Sequence, residues 1–150
     1  MTGLRVIVVL LVFGFVGSIH ASQHFERNGL AIDGYDPVAY FTEMKPVRGS
    51  SEFRANYQGT TFQFASATHR DTFTTNPQKF APQYGGYCAY GMAKGYKAKI
   101  DPAAFTVVGD KLYLNYSEGI RSRWLSDVPG YIQQADRNWP EVQKETKVHE

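Results

Sequence analysis

The stretch Tyr84-Gly85-Gly86-Tyr87-Cys88-Ala89-Tyr90-Gly91 holds the only cysteine of this 150-residue chain, set between three tyrosines and three glycines. Two adjacent glycines permit a positive φ or a close backbone approach at little steric cost. A single thiol among aromatic rings is compatible with a soft metal ligand, a redox centre or a small buried hydrophobe. The stretch therefore predicts a structurally demanding loop, and its chemistry depends on which of these roles Cys88 takes.

The first residues are typical of an export signal. Arg5 precedes an apolar run over residues 6–16 that only Gly14 interrupts, and small residues follow it. The run is about a dozen residues long, shorter than the roughly 20 that a transmembrane helix needs. We predict a signal peptide over residues 1–21 and an exported protein, periplasmic or secreted, without a stable membrane span after cleavage. The alternative is an uncleaved N-terminal anchor.

The remaining chain is close to electrically neutral. The whole chain has 16 basic residues, so loss of Arg5 leaves 15 against 14 acidic residues. This balance argues against nucleic acid as a partner, and nothing in the sequence identifies a protein partner. The cluster of Lys94, Lys97 and Lys99 is expected to lie in a solvated loop. A single cysteine excludes an internal disulfide, so the core must be held by packing, which 10 Tyr, 10 Phe and 2 Trp can supply.

Turn and capping residues divide the rest of the chain into short elements. Two hairpins are predicted, with strands at residues 53–57 and 60–64 around Gln58-Gly59, and at 105–108 and 112–116 around Gly109-Asp110. Ser66 and Ser117 are predicted to cap helices, and Asp36 is predicted to cap one with Pro37 at its first position. Further helices are expected at residues 88–94 and, after a break over 127–130, at 131–138.

These elements predict an α+β fold: a small single domain of two β-hairpins packed with several short helices. The domain is expected to span residues 30–140. Residues 22–29 are predicted to form a flexible N-terminus, and residues 141–150 a polar, frayed C-terminal tail.

Several ungapped segments carry a resemblance to a known family. They are GYDPVAYF at 34–41, FQFAS at 62–66, NPQKFAPQYGGYCA at 76–89 and LYLNY at 112–116, with a tail over 124–139. On these segments the chain resembles a YHS domain protein in its longer, exported form. The resemblance spans residues 30–140, and it implies no assigned activity for the long form.

Short YHS modules look like metal binders, with cysteines after the Asp-Pro-Val turn and around the segment that opens the next helix. The corresponding positions here are Ala39, Ala65 and His69, so two or three thiolates are missing and one imidazole is left. Copper or zinc is the metal that the resemblance suggests. A Cys88–His69 pair alone is a two-coordinate set, which suits Cu(I) and is too small for a closed zinc site.

A second set of candidates consists of polar aromatic side chains and one carboxylate. The tyrosines that could line an aromatic pocket are Tyr35, Tyr40, Tyr84, Tyr87, Tyr90, Tyr113 and Tyr116. From these segments the predicted ligand-binding residues are Asp36, Tyr40, Tyr84, Tyr87 and Tyr113. The alternative for the tyrosines is a core position with a hydrogen-bonded hydroxyl, and for Asp36 it is a helix cap.

No catalytic residue is predicted, because GxSxG, HExxH, CxxC and phosphate-binding glycine motifs are all missing from the sequence. The sequence therefore predicts an exported, non-enzymatic domain that binds a metal ion or a small ligand near the Gly-Gly-Tyr-Cys segment. One alternative is a structural or protein-interaction module in which Cys88 is buried. The other is a thiol-dependent redox protein or enzyme.

Overall fold

Short helices alternate with β-hairpins along the chain. The computed structural model describes residues 23–150, and the predicted signal peptide lies outside them. The strands are β1 (Glu26–Arg27), β2 (Leu30–Ala31), β3 (Ser50–Tyr57), β4 (Thr60–Phe64), β5 (Lys97–Ala98), β6 (Asp101–Val108), β7 (Lys111–Asn115) and β8 (Val148–His149). The α-helices are α1 (Ala39–Thr42), α2 (Ala67–Thr75), α3 (Pro77–Phe80), α4 (Ala89–Ala93), α5 (Glu118–Trp124) and α6 (Val128–Val142). Short 3-10 helices cover Ile32–Gly34, Gln83–Gly86 and Leu125–Asp127.

The fold is α+β, and both predicted hairpins are present. Tyr57 pairs with Thr60 across the turn between β3 and β4, and Val108 pairs with Lys111 across the turn between β6 and β7. Both central residues of each turn have positive φ: 50° and 81° at residues 58 and 59, 58° and 56° at 109 and 110. This is the geometry of a tight two-residue hairpin, which the Gln-Gly and Gly-Asp pairs favour.

Three sheets result from the pairing. The largest has the strand order β1-β2-β4-β3, in which β2 runs parallel to β4 and the other neighbours are antiparallel. The hairpin of β6 and β7 forms the second sheet, and β5 pairs with β8 in parallel to form the third.

An aromatic cluster joins the first sheet to α2. Phe62 and Phe64 of β4 lie with their ring centroids 4.9 and 5.1 Å from that of Phe73 on α2, and all three rings are buried. Tyr57 adds an edge-to-face contact to Phe73. Such ring pairs contribute about 0.5–1.5 kcal/mol each beyond the area they bury, so they support a core without any disulfide.

The N-terminal segment differs from its prediction, because residues 23–29 are not loose. His24 and Phe25 are buried, and β1 pairs with β2. The Phe25 ring packs edge-on against Tyr87, and its N–H donates to the carbonyl of Gly85 at 2.8 Å. Strand pairing, two buried side chains and one backbone hydrogen bond therefore fix a segment whose composition is polar.

The last residues are also held, contrary to the predicted frayed tail. Strand β8 pairs with β5, and the ammonium of Lys97 donates to the carbonyls of Gln143 at 2.9 Å and Glu145 at 2.6 Å. Lys97 is only 1% exposed, and its Nζ lies 4.8 Å from the centre of the Tyr87 ring. The prediction of a solvated loop is therefore wrong for Lys97, since carbonyl oxygens and an aromatic face replace its water.

Two helix starts also differ from their predictions. Helix α6 begins at Val128, inside the predicted break, because Asp127 accepts the N–H of Gly130 and Pro129 fits the first turn. Helix α1 begins at Ala39 rather than at Pro37. None of the helices within residues 23–150 is both long and apolar enough to span a bilayer.

Replacement of Gly85 by alanine is expected to destabilise the protein more than replacement of Gly59. Both residues have positive φ, which costs a non-glycine residue about 1–2 kcal/mol. A Cβ at Gly59 would meet open space, whereas a Cβ at Gly85 would overlap the carbonyl of Gln23. We expect Gly85→Ala to lose at least about 3 kcal/mol of unfolding free energy in urea. Equal losses in the two variants would contradict the docking of the N-terminal segment on Gly85.

The buried imidazole of His24 is expected to make the protein sensitive to acid. Burial lowers its pKa to about 4, from the ordinary 6.5 that the unfolded chain retains. Because the unfolded chain takes up the proton more readily, stability falls as the pH drops from about 6.5 to about 4, by about 3 kcal/mol in total. The difference in unfolding free energy between wild type and His24→Phe should change by that amount between pH 7 and pH 4. A constant difference would contradict a neutral, buried His24.

Candidate functional site

The segment of residues 84–91 turns sharply before it enters α4. Tyr84, Gly85 and Gly86 have φ values of 55°, 62° and 78°, three left-handed residues in succession. Only glycine adopts this conformation without strain, so the two glycines allow the reversal and Tyr84 carries the remaining cost. The reversal brings Cys88 to the N-cap position of α4, where its Sγ accepts the N–H of Gly91 at 3.4 Å.

Cys88 is buried against an asparagine from the end of β7. Its side chain is 1% exposed, and Sγ lies 3.5 Å from Oδ1 of the fully buried Asn115. The same oxygen accepts the N–H of Tyr90 at 3.0 Å, which fixes the orientation of the amide. Among residues 23–150, Nδ2 of Asn115 finds no hydrogen-bond partner. Such a buried unpaired donor is uncommon.

The surroundings of the thiol keep it protonated. Burial raises the pKa of Cys88, and the backbone N–H groups of Gly91, Tyr116 and Tyr90 offset part of this effect. Since the thiolate is the reactive form of cysteine, Cys88 is a weak nucleophile near neutral pH. Its side chain therefore presents a polarisable, largely apolar surface.

A cleft of about 250 Å³ lies above this thiol, and its lining is largely apolar. We call it the Cys88 cleft; its lining residues are Cys88, Tyr90, Tyr96, Ala98, Tyr116, Ile120 and His149. Cys88 and Ala98 are buried and form its floor, while the other five are more exposed and form its walls. The His149 ring lies 4.8 Å from that of Tyr96, so the C-terminal segment, residues 143–150, supplies one wall.

His69, the second predicted metal ligand, pairs with Asp36. Its Nδ1 lies 2.6 Å from Oδ2 of Asp36, an oxygen that also accepts the N–H of Ala65. The other oxygen, Oδ1, accepts the N–H groups of Val38 and Ala39. Asp36 is 0% exposed. The carboxylate thus caps the start of α1, as the sequence predicts for one of its two roles, and it orients the imidazole.

The predicted pairing of Cys88 with His69 stays a prediction. His149, and not His69, is the histidine that lines the Cys88 cleft. Within residues 23–150 no group of three or more His, Cys, Asp or Glu side chains is arranged to hold a metal ion.

Two of the predicted ligand-binding tyrosines lie in the core. Tyr40 is 0% exposed, and its hydroxyl donates to the carbonyl of Pro102 at 2.8 Å. The hydroxyl of Tyr87 donates to the carbonyl of His24 at 3.3 Å. Burial raises the pKa of both phenols, that of Tyr87 to about 12. Both follow the alternative interpretation, a core position with a bonded hydroxyl, and neither lines the Cys88 cleft.

The other two predicted tyrosines belong to one aromatic cluster. The Tyr113 ring packs against those of Tyr84 and Trp124, with ring centroids 6.0 and 5.2 Å away. The hydroxyl of Tyr84 donates to Asp136 at 2.8 Å. Burial and this hydrogen bond raise the pKa of Tyr84. Its ring borders a second cavity, separate from the Cys88 cleft.

Sequence reasoning missed four residues of the cleft: Tyr96, Ala98, Ile120 and His149. Tyr90 and Tyr116 stood in the wider set of candidate tyrosines. The only sequence signal for His149 is its neighbour Val148, the one apolar residue after Val142. In the structure Val148 is half-buried and pairs with Lys97.

Comparison with protein-family models, with curated proteins and with solved structures finds no match. The resemblance to YHS domain proteins therefore stays a prediction. Function has to be argued from the contacts and charges of the described residues.

Cys88 is expected to react slowly while the protein is folded. Alkylation by iodoacetamide requires exposure of the buried thiol and loss of its proton. The rate should be about 100-fold lower than in urea, since local opening of a core residue costs on the order of 3 kcal/mol. The control is Cys88→Ser/Ser122→Cys, which places a thiol at an exposed position. A native rate close to that of the control would favour the redox alternative.

Proposed function

We propose that the chain is an exported, non-enzymatic binding domain that takes a small, planar, largely apolar ligand in the Cys88 cleft. The observation that carries the proposal is the cleft itself, in which aromatic walls surround a buried, protonated thiol. The N-terminal apolar run supports export, and the sequence resemblance to long YHS domain proteins supports a domain of this kind.

The shape and polarity of the cleft favour this class of ligand. Three tyrosine rings, those of Tyr90, Tyr96 and Tyr116, line it and supply aromatic surface to a ligand. The volume, about 250 Å³, is just below the roughly 300–1,000 Å³ of pockets that enclose drug-sized molecules. No carboxylate, lysine or arginine belongs to the described lining, so the lining itself is uncharged. The cations of Lys94, Lys99 and Arg123 lie outside it, 5.4 to 6.0 Å from the centres of the Tyr90 and Tyr116 rings.

The neighbours of the thiol favour binding over nucleophilic catalysis. A cysteine nucleophile is activated by a base within hydrogen-bond reach or by a lowered pKa. The side chain that Sγ contacts is the amide of Asn115, 3.5 Å away, and burial raises the pKa of the thiol. An amide accepts a hydrogen bond but does not take up a proton near neutral pH. Asn115 therefore orders the thiol without activating it.

A second candidate is the binding of copper(I). It is favoured by one observation: Cys88 and His149 line the same cleft, and thiolate and imidazole both suit this ion. The raised pKa of Cys88 counts against it, since binding must displace the thiol proton.

The proposal predicts that indole, used as a planar apolar probe, binds to the purified protein at the cleft. Titration followed by backbone amide NMR should give saturable shifts at Cys88 and Ala98. Tyr116→Ala should weaken binding about three- to tenfold, because one aromatic contact contributes about 0.5–1.5 kcal/mol. The matched control is Tyr35→Ala, which removes a half-buried tyrosine that does not line the cleft.

The alternatives give different results in the same assay. One equivalent of copper(I) that requires both Cys88 and His149, with no indole shift, would replace the ligand proposal with the metal candidate. A protein that binds neither probe, with a native fold by circular dichroism, would favour the structural or interaction module.

A further inference from the structure

A second cavity of about 250 Å³ has a different chemistry, with a mostly polar lining. It lies where the N-terminal segment, the first hairpin, the residues after α3 and the end of α6 meet. It shares no lining residue with the Cys88 cleft. Five of the eight glutamines of the chain line it, so we call it the glutamine cavity; they are Gln23, Gln58, Gln78, Gln83 and Gln143.

Aromatic rings complete this lining. Tyr57, Tyr84 and Trp139 all border the cavity. The Tyr84 and Trp139 rings meet at 63° with their centroids 6.2 Å apart, and the bond from Tyr84 to Asp136 holds the phenol in place. Trp139 is half-buried, so part of its surface stays open to a ligand.

The cavity carries no net charge near neutral pH. Its described lining contains no Asp, Glu, Lys or Arg, and its one histidine, His24, is neutral because burial lowers its pKa to about 4. A charged ligand would therefore lose hydration without gaining an ion pair. Glutamine amides both donate and accept hydrogen bonds, which matches hydroxyl groups, since these also do both.

We propose that the glutamine cavity binds a neutral sugar. The glutamine amides would form hydrogen bonds with the sugar hydroxyls. The rings of Trp139, Tyr57 and Tyr84 would pack against the apolar C–H face of the sugar. The volume, below the roughly 300 Å³ at which pockets for drug-sized ligands begin, fits a single sugar ring. The inference does not depend on the Cys88 cleft, because the two cavities have separate linings.

The test uses the purified protein and three neutral probes: glucose, galactose and N-acetylglucosamine. At least one should give saturable amide shifts at Gln58, Gln83 and Gly85, with a dissociation constant on the order of 1–20 mM. Glucuronate and glucosamine, which are charged, should bind at least about tenfold more weakly, because the cavity offers no counter-ion.

Paired glutamine variants separate the cavity from the rest of the surface. Gln78→Ala removes an exposed amide at the cavity rim and should weaken sugar binding about two- to tenfold, the effect of one lost hydrogen bond. Gln133→Ala removes an exposed glutamine of α6 outside the cavity and should leave binding unchanged.

Three results would overturn the proposal. The first is no saturable shift with any of the three sugars up to about 50 mM, and the second is equal weakening by the two glutamine variants. The third is saturable binding of triglycine, but of no sugar, at the same amides, which would assign the cavity to a peptide backbone.

Discussion

The buried carboxylate of Asp36 is the constraint on which the first half of the structure depends. Its two oxygens accept the N–H groups of Val38, Ala39 and Ala65 and the ring N–H of His69. These bonds join the start of α1 to the end of β4 and the first turn of α2. A buried charge without partners would cost several kcal/mol, so an arrangement that breaks these bonds is strongly disfavoured. The backbone N–H groups of residues 39 and 65 and the imidazole of His69 therefore meet at one carboxylate.

Local sequence signals predicted most helices and strands. They did not predict that residues 23–29 and 143–150 pack against the rest of the domain. The pairs Gln58-Gly59 and Gly109-Asp110 identify the hairpins because positive φ at both turn positions is a local requirement. Ser66 and Ser117 identify two helix starts for a similar reason: each hydroxyl accepts an N–H three residues ahead. The attachment of the C-terminal segment depends instead on Lys97, 46 and 48 residues before its two carbonyl partners. Composition gives no sign of such a contact, since a cluster of lysines next to a glycine is typical of a solvated loop.

The candidate site shows the same division between local and distant information. The sequence identified Cys88 as a candidate, and in the structure Cys88 lines a cleft. The character of the thiol, however, is set by Asn115, which lies 27 residues further along the chain, and one wall of the cleft comes from His149. The number of tyrosines did not indicate which of them line a binding site, and the reason is physical. A phenol suits both a cleft wall and a core position in which its hydroxyl meets a carbonyl or carboxylate, and only the tertiary partners, such as Pro102 for Tyr40, distinguish the two.

Both cavities are lined in part by residues 84–91, and the C-terminal segment contributes to both. Gln143, at its start, lines the glutamine cavity, and His149, near its end, lines the Cys88 cleft. The ammonium of Lys97 donates hydrogen bonds to the carbonyls of Gln143 and Glu145. It also lies 4.8 Å from the centre of the ring of Tyr87, which belongs to the glycine-rich segment. Burial lowers the pKa of this lysine, yet two carbonyl oxygens and an aromatic face stabilise its charge. Lys97 lines neither cavity, but it fixes the position of a segment that both of them need. Cys88 lines one of the two candidate binding sites. Lys97, nine residues later, bonds to the segment that supplies Gln143 to one cavity and His149 to the other.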